Sequence, residues 1–250
     1  MLSAKRIVSL VPSITELLVD LGLEDHIVGV TKFCVHPEHL RKAKTIVGGT
    51  KNLRMDVIRG LQPDLILANK EENVKEQVET LASAFPVYTS AISTWQETLD
   101  MITRVGALTG TENKAETLVE TLNQKKSAFQ AAKGNGSKRF RTLYLIWQNP
   151  WMSVGGDTFI HEMLSIAGFE NCCGEKSRYP VLEEAEIISL APEVILLSSE
   201  PYPFTEKHIS GLQKLLPEAV ILLADGELFS WYGSRLLGAF DYFGDLRSRI

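Results

Sequence analysis

Met55-Asp56-Val57-Ile58-Arg59-Gly60-Leu61-Gln62-Pro63-Asp64-Leu65-Ile66-Leu67 aligns without a gap on Glu184-Ala185-Glu186-Ile187-Ile188-Ser189-Leu190-Ala191-Pro192-Glu193-Val194-Ile195-Leu196. Each copy is a short amphipathic run that predicts a helix, then a proline that breaks it, an acidic residue, and an apolar run that reads as a buried parallel strand. One copy stands in each half of the chain, the signature of two similar α/β lobes.

The surroundings of the two copies agree with that reading. Upstream of the first, Arg6-Ile7-Val8-Ser9-Leu10-Val11 is a strand stopped by Pro12; Ser13 reads as a helix N-cap with Glu16 three residues on, and the helix, over residues 14–21, ends at Gly22. Ile27-Val28-Gly29-Val30 follows as a second strand. Upstream of the second copy, Thr142-Leu143-Tyr144-Leu145-Ile146 is a strand, a loop carries Asn149, Pro150, Gly155 and Gly156, and a helix over Phe159–Ala167 ends at Gly168. Strands alternating with helices call for mainly parallel sheets covered on both faces.

Between the halves, Ala115, Leu118, Val119, Leu122 and Phe129 fall on one helical stripe within residues 111–133. Thr111 can cap the start, and Gly134-Asn135-Gly136 ends it. Such a helix is about 33 Å long, a strut rather than a flexible linker. The expected architecture is thus an α/β protein of two similar lobes, residues 1–110 and 135–250, joined by one long backbone helix, residues 111–134, with a ligand cleft between the lobes. Lobes so joined should rock only slightly.

Composition narrows the function classes. With 250 residues, 44% hydrophobic and 23% charged, the chain is ordinary globular protein. A net charge of −5 offers no excess of cations for a phosphate backbone, so no nucleic acid partner is expected. No apolar stretch approaches the roughly 20 residues that span a bilayer, and Met1-Leu2-Ser3-Ala4-Lys5-Arg6 carries no export-signal pattern. Cys34 and the adjacent Cys172 and Cys173 are an odd count without a zinc-ligand pattern, so free thiols are expected. The phosphate-loop, dinucleotide, nucleophile-elbow and zinc-protease motifs are all missing, which argues against an enzyme. His36 and His39 have ligand spacing, but Pro37 lies between them and no partner cluster follows; no metal site is assigned.

In open α/β sheets ligands bind where loops leave the carboxyl ends of strands. Four such loops stand out: Val11-Pro12-Ser13 and Phe33-Cys34-Val35-His36-Pro37 in the first half, Trp147-Gln148-Asn149-Pro150-Trp151 and Phe229-Ser230-Trp231-Tyr232-Gly233-Ser234-Arg235 in the second. Trp147, Trp151, Trp231 and Tyr232 suit the face or edge of a large planar ring, and Arg235 could pair with an anionic group on it. The fourth tryptophan, Trp95, opens the helix before Thr109-Gly110 and reads as structural.

With these features in place, the chain resembles the helical-backbone substrate-binding proteins of ABC importers, the vitamin B12, haem and ferric siderophore type. The resemblance runs nearly end to end, through residues 6–16, Val28-Gly29-Val30, Pro63-Asp64-Leu65-Ile66-Leu67, Val154-Gly155-Gly156 and Ala167-Gly168-Phe169-Glu170-Asn171. It is similar above all to the B12-binding branch. There a tyrosine before a proline touches the corrinoid, and that position is His36 here; two first-lobe tryptophans fall at Lys51 and Asn69. The resemblance therefore implies a ligand site of Pro12, Ser13, His36, Lys51, Asn69, Trp147, Trp151, Trp231, Tyr232 and Arg235. The ligand would be a corrinoid such as cobalamin or cobinamide, or else haem or a ferric siderophore, with His36 able to ligate cobalt or iron; no intrinsic cofactor is implied. Family members dock on the permease through one acidic residue per lobe, which implies Glu76 and Glu206, with Glu71 and Glu200 as alternatives. A monomeric component working with an ABC permease and ATPase at the cell envelope follows. The other classes are a cytoplasmic sensor or carrier and a chelatase-like enzyme.

Overall fold

Two local arrangements repeat, and they explain the aligned motif. The computed structural model describes residues 3–134 and 136–250; Met1, Leu2 and the Asn135 of the expected helix stop lie outside them. The chain divides into two compact units. One holds the chain up to Ile92, Gln96–Leu122 and Tyr232–Arg235; the other holds Ser93–Trp95, Asn123–Trp231 and Leu236–Ile250.

In the first unit, β1 (Ile7–Ser9), β2 (Ile27–Val30), β3 (Thr45–Ile46), β4 (Leu65–Asn69) and β5 (Val87–Ser90) form, among the described residues, a five-stranded sheet in the order β3-β2-β1-β4-β5. All its pairings are parallel. The helices α1 (Pro12–Asp20), α2 (Leu40–Ala43), α3 (Met55–Leu61), α4 (Lys75–Ala82), α5 (Trp95–Thr109) and α6 (Glu112–Lys133) alternate with and follow these strands. Val8, Leu10, Val47, Ile58, Ile66 and Ala68 form one core cluster.

The second unit pairs β6 (Phe140–Leu145), β8 (Phe169–Asn171), β10 (Val194–Ser198) and β11 (Val220–Ala224) in the order β11-β10-β6-β8, again all parallel. A small antiparallel ladder joins β7 (Trp151–Met152) to β9 (Val181–Leu182). The helices are α7 (Phe159–Ala167), α8 (Glu184–Ser189), α9 (Glu206–Leu215), α10 (Gly226–Ser230) and α11 (Leu236–Arg247).

The aligned motif does the same work in both sheets. After α3, Gln62 adopts a left-handed conformation (φ 48°) before Pro63; after α8, Ala191 does so (φ 44°) before Pro192. Asp64 then accepts hydrogen bonds from the backbone N–H groups of Lys5 and Arg6, while the Arg6 guanidinium donates to the carbonyl of Leu61. In the second unit Glu193 accepts from the Arg141 N–H, and Arg141 donates to the Leu190 carbonyl. Pro breaks the helix and the carboxylate aligns the next strand with the central one, so β4 enters beside β1 and β10 beside β6.

One boundary differs from expectation. α1 begins at Pro12, with Val11 in extended conformation as the N-cap and no side-chain cap bond. Proline at the first helical position has its φ preset and lacks only an N–H that would go unpaired anyway, so it starts the helix and Ser13 is not the cap. The long helix α6 is continuous, with Ala115 and Leu122 buried, and the division between units falls inside it, between Leu122 and Asn123. The Thr111 hydroxyl pairs with that of Thr109, while the Thr111 carbonyl accepts the first helical bond from Ala115.

Candidate functional site

Five of the expected first-half residues gather at the carboxyl ends of β1 to β4. Pro12 and Ser13 follow β1 and are buried in the first turn of α1. His36 lies half-buried in the loop after β2, and Lys51 stands exposed after β3, its ammonium donating to the Glu71 carbonyl. Asn69, expected to reach a ligand, is instead wholly buried at the end of β4. Its amide donates to Ser90, and its oxygen accepts from the N–H groups of Glu71 and Glu72. A side-chain amide with its bonds filled by its own loop ties that loop down and has little left to offer a ligand.

Beneath the loops lies a packed polar layer. Cys34 Sγ is 3.1 Å from Thr15 Oγ1 and 3.3 Å from Thr31 Oγ1, and Thr15 donates to Ser9 Oγ at 2.8 Å. Burial pushes the Cys34 thiol up, so it stays protonated and packs as a small side chain. Arg235 is held by Glu16 in a bidentate pair at 2.9 and 2.7 Å, with side chains 20% and 18% exposed. Burial pushes the Glu16 carboxyl up, while Arg235 and then His36 pull it down. The spacing from Ser13 disguised Glu16 as a capping-box residue; its partner is 219 positions away in the chain, beyond the reach of local pattern reading. Tyr232 is buried in the same unit. His39 Nε2 turns to Glu24 at 2.8 Å rather than joining His36 in a cluster.

Burial also pushes the Glu72 carboxyl above its ordinary value, against the pull of Lys51 and with a further push from Glu71. A raised folded value means that folding takes up protons. The stabilising share of Glu72 is therefore complete below the ordinary carboxylate range and is lost as pH rises through the raised value. Glu72→Gln, always neutral, is expected to exceed the wild type in urea midpoint near neutral pH and to lose that lead as the pH falls to about 4. A lead unchanged by acid would contradict this account.

The second unit carries an aromatic cluster at the carboxyl ends of β6 and β10. Trp147 is 39% exposed and meets Tyr202 edge-on at 5.4 Å. Trp151 is half-buried and stacks parallel to Phe204 at 6.3 Å. Tyr202 was not anticipated, yet its hydroxyl donates to Gln148 Oε1 at 3.2 Å and stands 3.3 Å from His208 Nε2. His208 Nδ1 in turn accepts from the Thr205 N–H at 2.9 Å. Trp231, expected to face a ligand, is 8% exposed, and its indole N–H is committed to Glu200 Oε1 at 2.9 Å. Ser230 donates to the same oxygen at 2.7 Å. This removes Glu200 as a free surface carboxylate. Glu76 and Glu206 are exposed in the first turns of α4 and α9, where the helix dipole favours an acid. Trp95 is buried, with its indole N–H on Asn123 and Lys126 over its ring at 4.7 Å.

The loops of the first unit present polar groups, and those of the second present flat aromatic ones. A family model described as "Periplasmic binding protein" matches residues 7–220. The chain is 28% identical over 200 residues to an uncharacterized ABC transporter substrate-binding lipoprotein, YvrC, of Bacillus subtilis, covering 77% of this chain and 63% of that one. It thus spans less than two thirds of that relative. It is 24% identical over 196 residues to a vitamin B12-binding protein of Vibrio parahaemolyticus, covering 78% and 70%. The periplasmic heme-binding protein RhuT from Roseiflexus sp. RS-1 superposes with a TM-score of 0.84 at 21% identity over 99% of both chains, so the fold is shared.

Proposed function

The chain belongs to the periplasmic binding protein family, and from that premise we propose that it is the substrate-binding component of an ABC uptake transporter, carrying a corrinoid or similar metal chelate. The family match over residues 7–220 carries this reading; the relatives named for B12 binding support the corrinoid. The protein would act as a monomer and hand its ligand to a permease and ATPase; a place at the cell envelope is supported by the lipoprotein relative. In the first unit His36 and Lys51 line the ligand's polar side, with the buried Pro12, Ser13 and Tyr232 and the paired Arg235 behind them. In the second, Trp147 offers its exposed face, and Trp151 supports it through the aromatic cluster.

A haem or ferric siderophore is the second reading, favoured by the half-buried His36 in a loop otherwise suited to a ring. Titration with cobalamin, cobinamide, haemin and a ferric siderophore, followed by tryptophan quenching and the ligand's visible spectrum, separates the readings. Saturation at one equivalent with a corrinoid is expected. Tight haemin binding, with a Soret shift lost in His36→Ala, would move the assignment to haem; no binding by any of the four would end the proposal.

A further inference from the structure

A concave, cation-lined region in the first unit stands out from a chain of net charge −5. A cavity of about 550 Å³ opens where the chain leaves β2 and β3. Lys32 and Phe33 form one wall; the tight loop through Gly49 and Lys51 forms another; Arg54, just before α3, closes it. Among the described residues its lining includes no carboxylate side chain. The same two loops carry His36 and Lys51, so the cavity adjoins the proposed ligand site.

The construction goes beyond ordinary surface charge. Lysines beside an edge strand such as β3 usually serve to discourage sheet-to-sheet pairing, and that duty needs neither concavity nor an aromatic ring. Here Phe33 remains 49% exposed. Lys32 Nζ lies 5.0 Å from its ring centroid, and a Cβ on Gly49 would sit 3.2 Å from the ring, so the glycine lets the ring lie against the loop. Lys51 is steadied by its bond to the Glu71 carbonyl and partly offset by Glu72. Lys32 and Arg54 face the cavity with no acid in its lining. A neighbouring hollow adds Arg41 and Lys42 against the one acid Glu38.

We propose that this cavity is an anion subsite of the ligand site, receiving a phosphate or carboxylate borne by the chelate, with Phe33 against the apolar part beside it. Guanidinium and ammonium groups converging on one hollow suit such oxygens. The idea rests on the chelate-binding reading for its ligand, so its test has two arms. First, inorganic phosphate titrated into the protein should give saturable amide shifts at Gly49 and Lys51, absent from the Lys32→Ala/Arg54→Ala variant. No saturable shift in the wild type overturns the subsite whatever the chelates do.

Second, affinities are compared within two pairs: cobalamin against cobinamide, which lacks the nucleotide phosphodiester, and haemin against its dimethyl ester. The double variant should weaken the anion-bearing member about tenfold or more, leave the other unchanged, and flatten the salt dependence; the pair that shows this identifies the source of the anion. Equal losses in both members, or none in either, overturn the proposal. If all four fail to bind while the phosphate shifts persist, the chelate reading falls and the subsite stands.

Discussion

Replacing Glu76 and Glu206 together by alanine is expected to abolish ligand uptake in vesicles carrying the permease and ATPase, while ligand affinity in solution changes by less than about twofold. Both side chains are exposed in first turns of helices, α4 and α9. Neither belongs to the loops that carry the ligand residues, so affinity has no reason to follow them. Exposed carboxylates of this kind move stability by no more than about 0.5 kcal/mol, and α9 retains its cap because Thr205 and His208 supply it without Glu206. Each single replacement should weaken uptake less than the pair, because two separated contacts on one partner act together. Reversal to lysine should be worse than alanine, since it sets a cation where the docking contact calls for an anion. Uptake that survives in the double variant would remove Glu76 and Glu206 as the docking pair.

How much of the fold is legible in the sequence follows from the range of the interactions involved. The helix, proline, acid and strand order is local, and local pattern located α3, α7 and α8 with their strands. The reason for the acid was not local: Asp64 and Glu193 bond backbone N–H groups of Arg6 and Arg141, more than fifty positions away. Loops were legible as loops, yet which of their side chains face outward was not. Trp147 and Trp231 look equivalent in sequence, but only Trp231 meets a buried-side acceptor, Glu200. Asn69 reads as an exposed polar residue after a strand, and becomes a loop tie only because β5 brings Ser90 beside it. Glu16 and Arg235 show the same limit, a pair formed by folding from residues at opposite ends of the chain.

Gly156→Ala should lower stability by about 3 kcal/mol, seen as a clear fall in the urea midpoint. Val154-Gly155-Gly156 runs against residues 174–178 backbone to backbone. Gly155 N–H donates to the Arg178 carbonyl at 2.7 Å and Gly156 N–H to the Lys176 carbonyl at 2.8 Å. A Cβ on Gly156 would overlap the carbonyl oxygen of Gly174, and one on Gly155 would lie 2.5 Å from that of Lys176. Neither obstacle is a side-chain tip that can swing away. The strain also reaches neighbouring structure, since the N-cap Thr158 of α7 donates to the Gly155 carbonyl and Asn171 donates to that of Val154. The two short motifs of this half are therefore one packed assembly, which is why they occur together. Gly211→Ala is the control: it sits inside α9 with nothing within 4 Å of the added methyl, and should raise stability by up to about 1 kcal/mol through helix propensity. If Gly156→Ala proved as stable as the wild type, the backbone contact would be looser than these distances require, and the glycine pair would need another explanation.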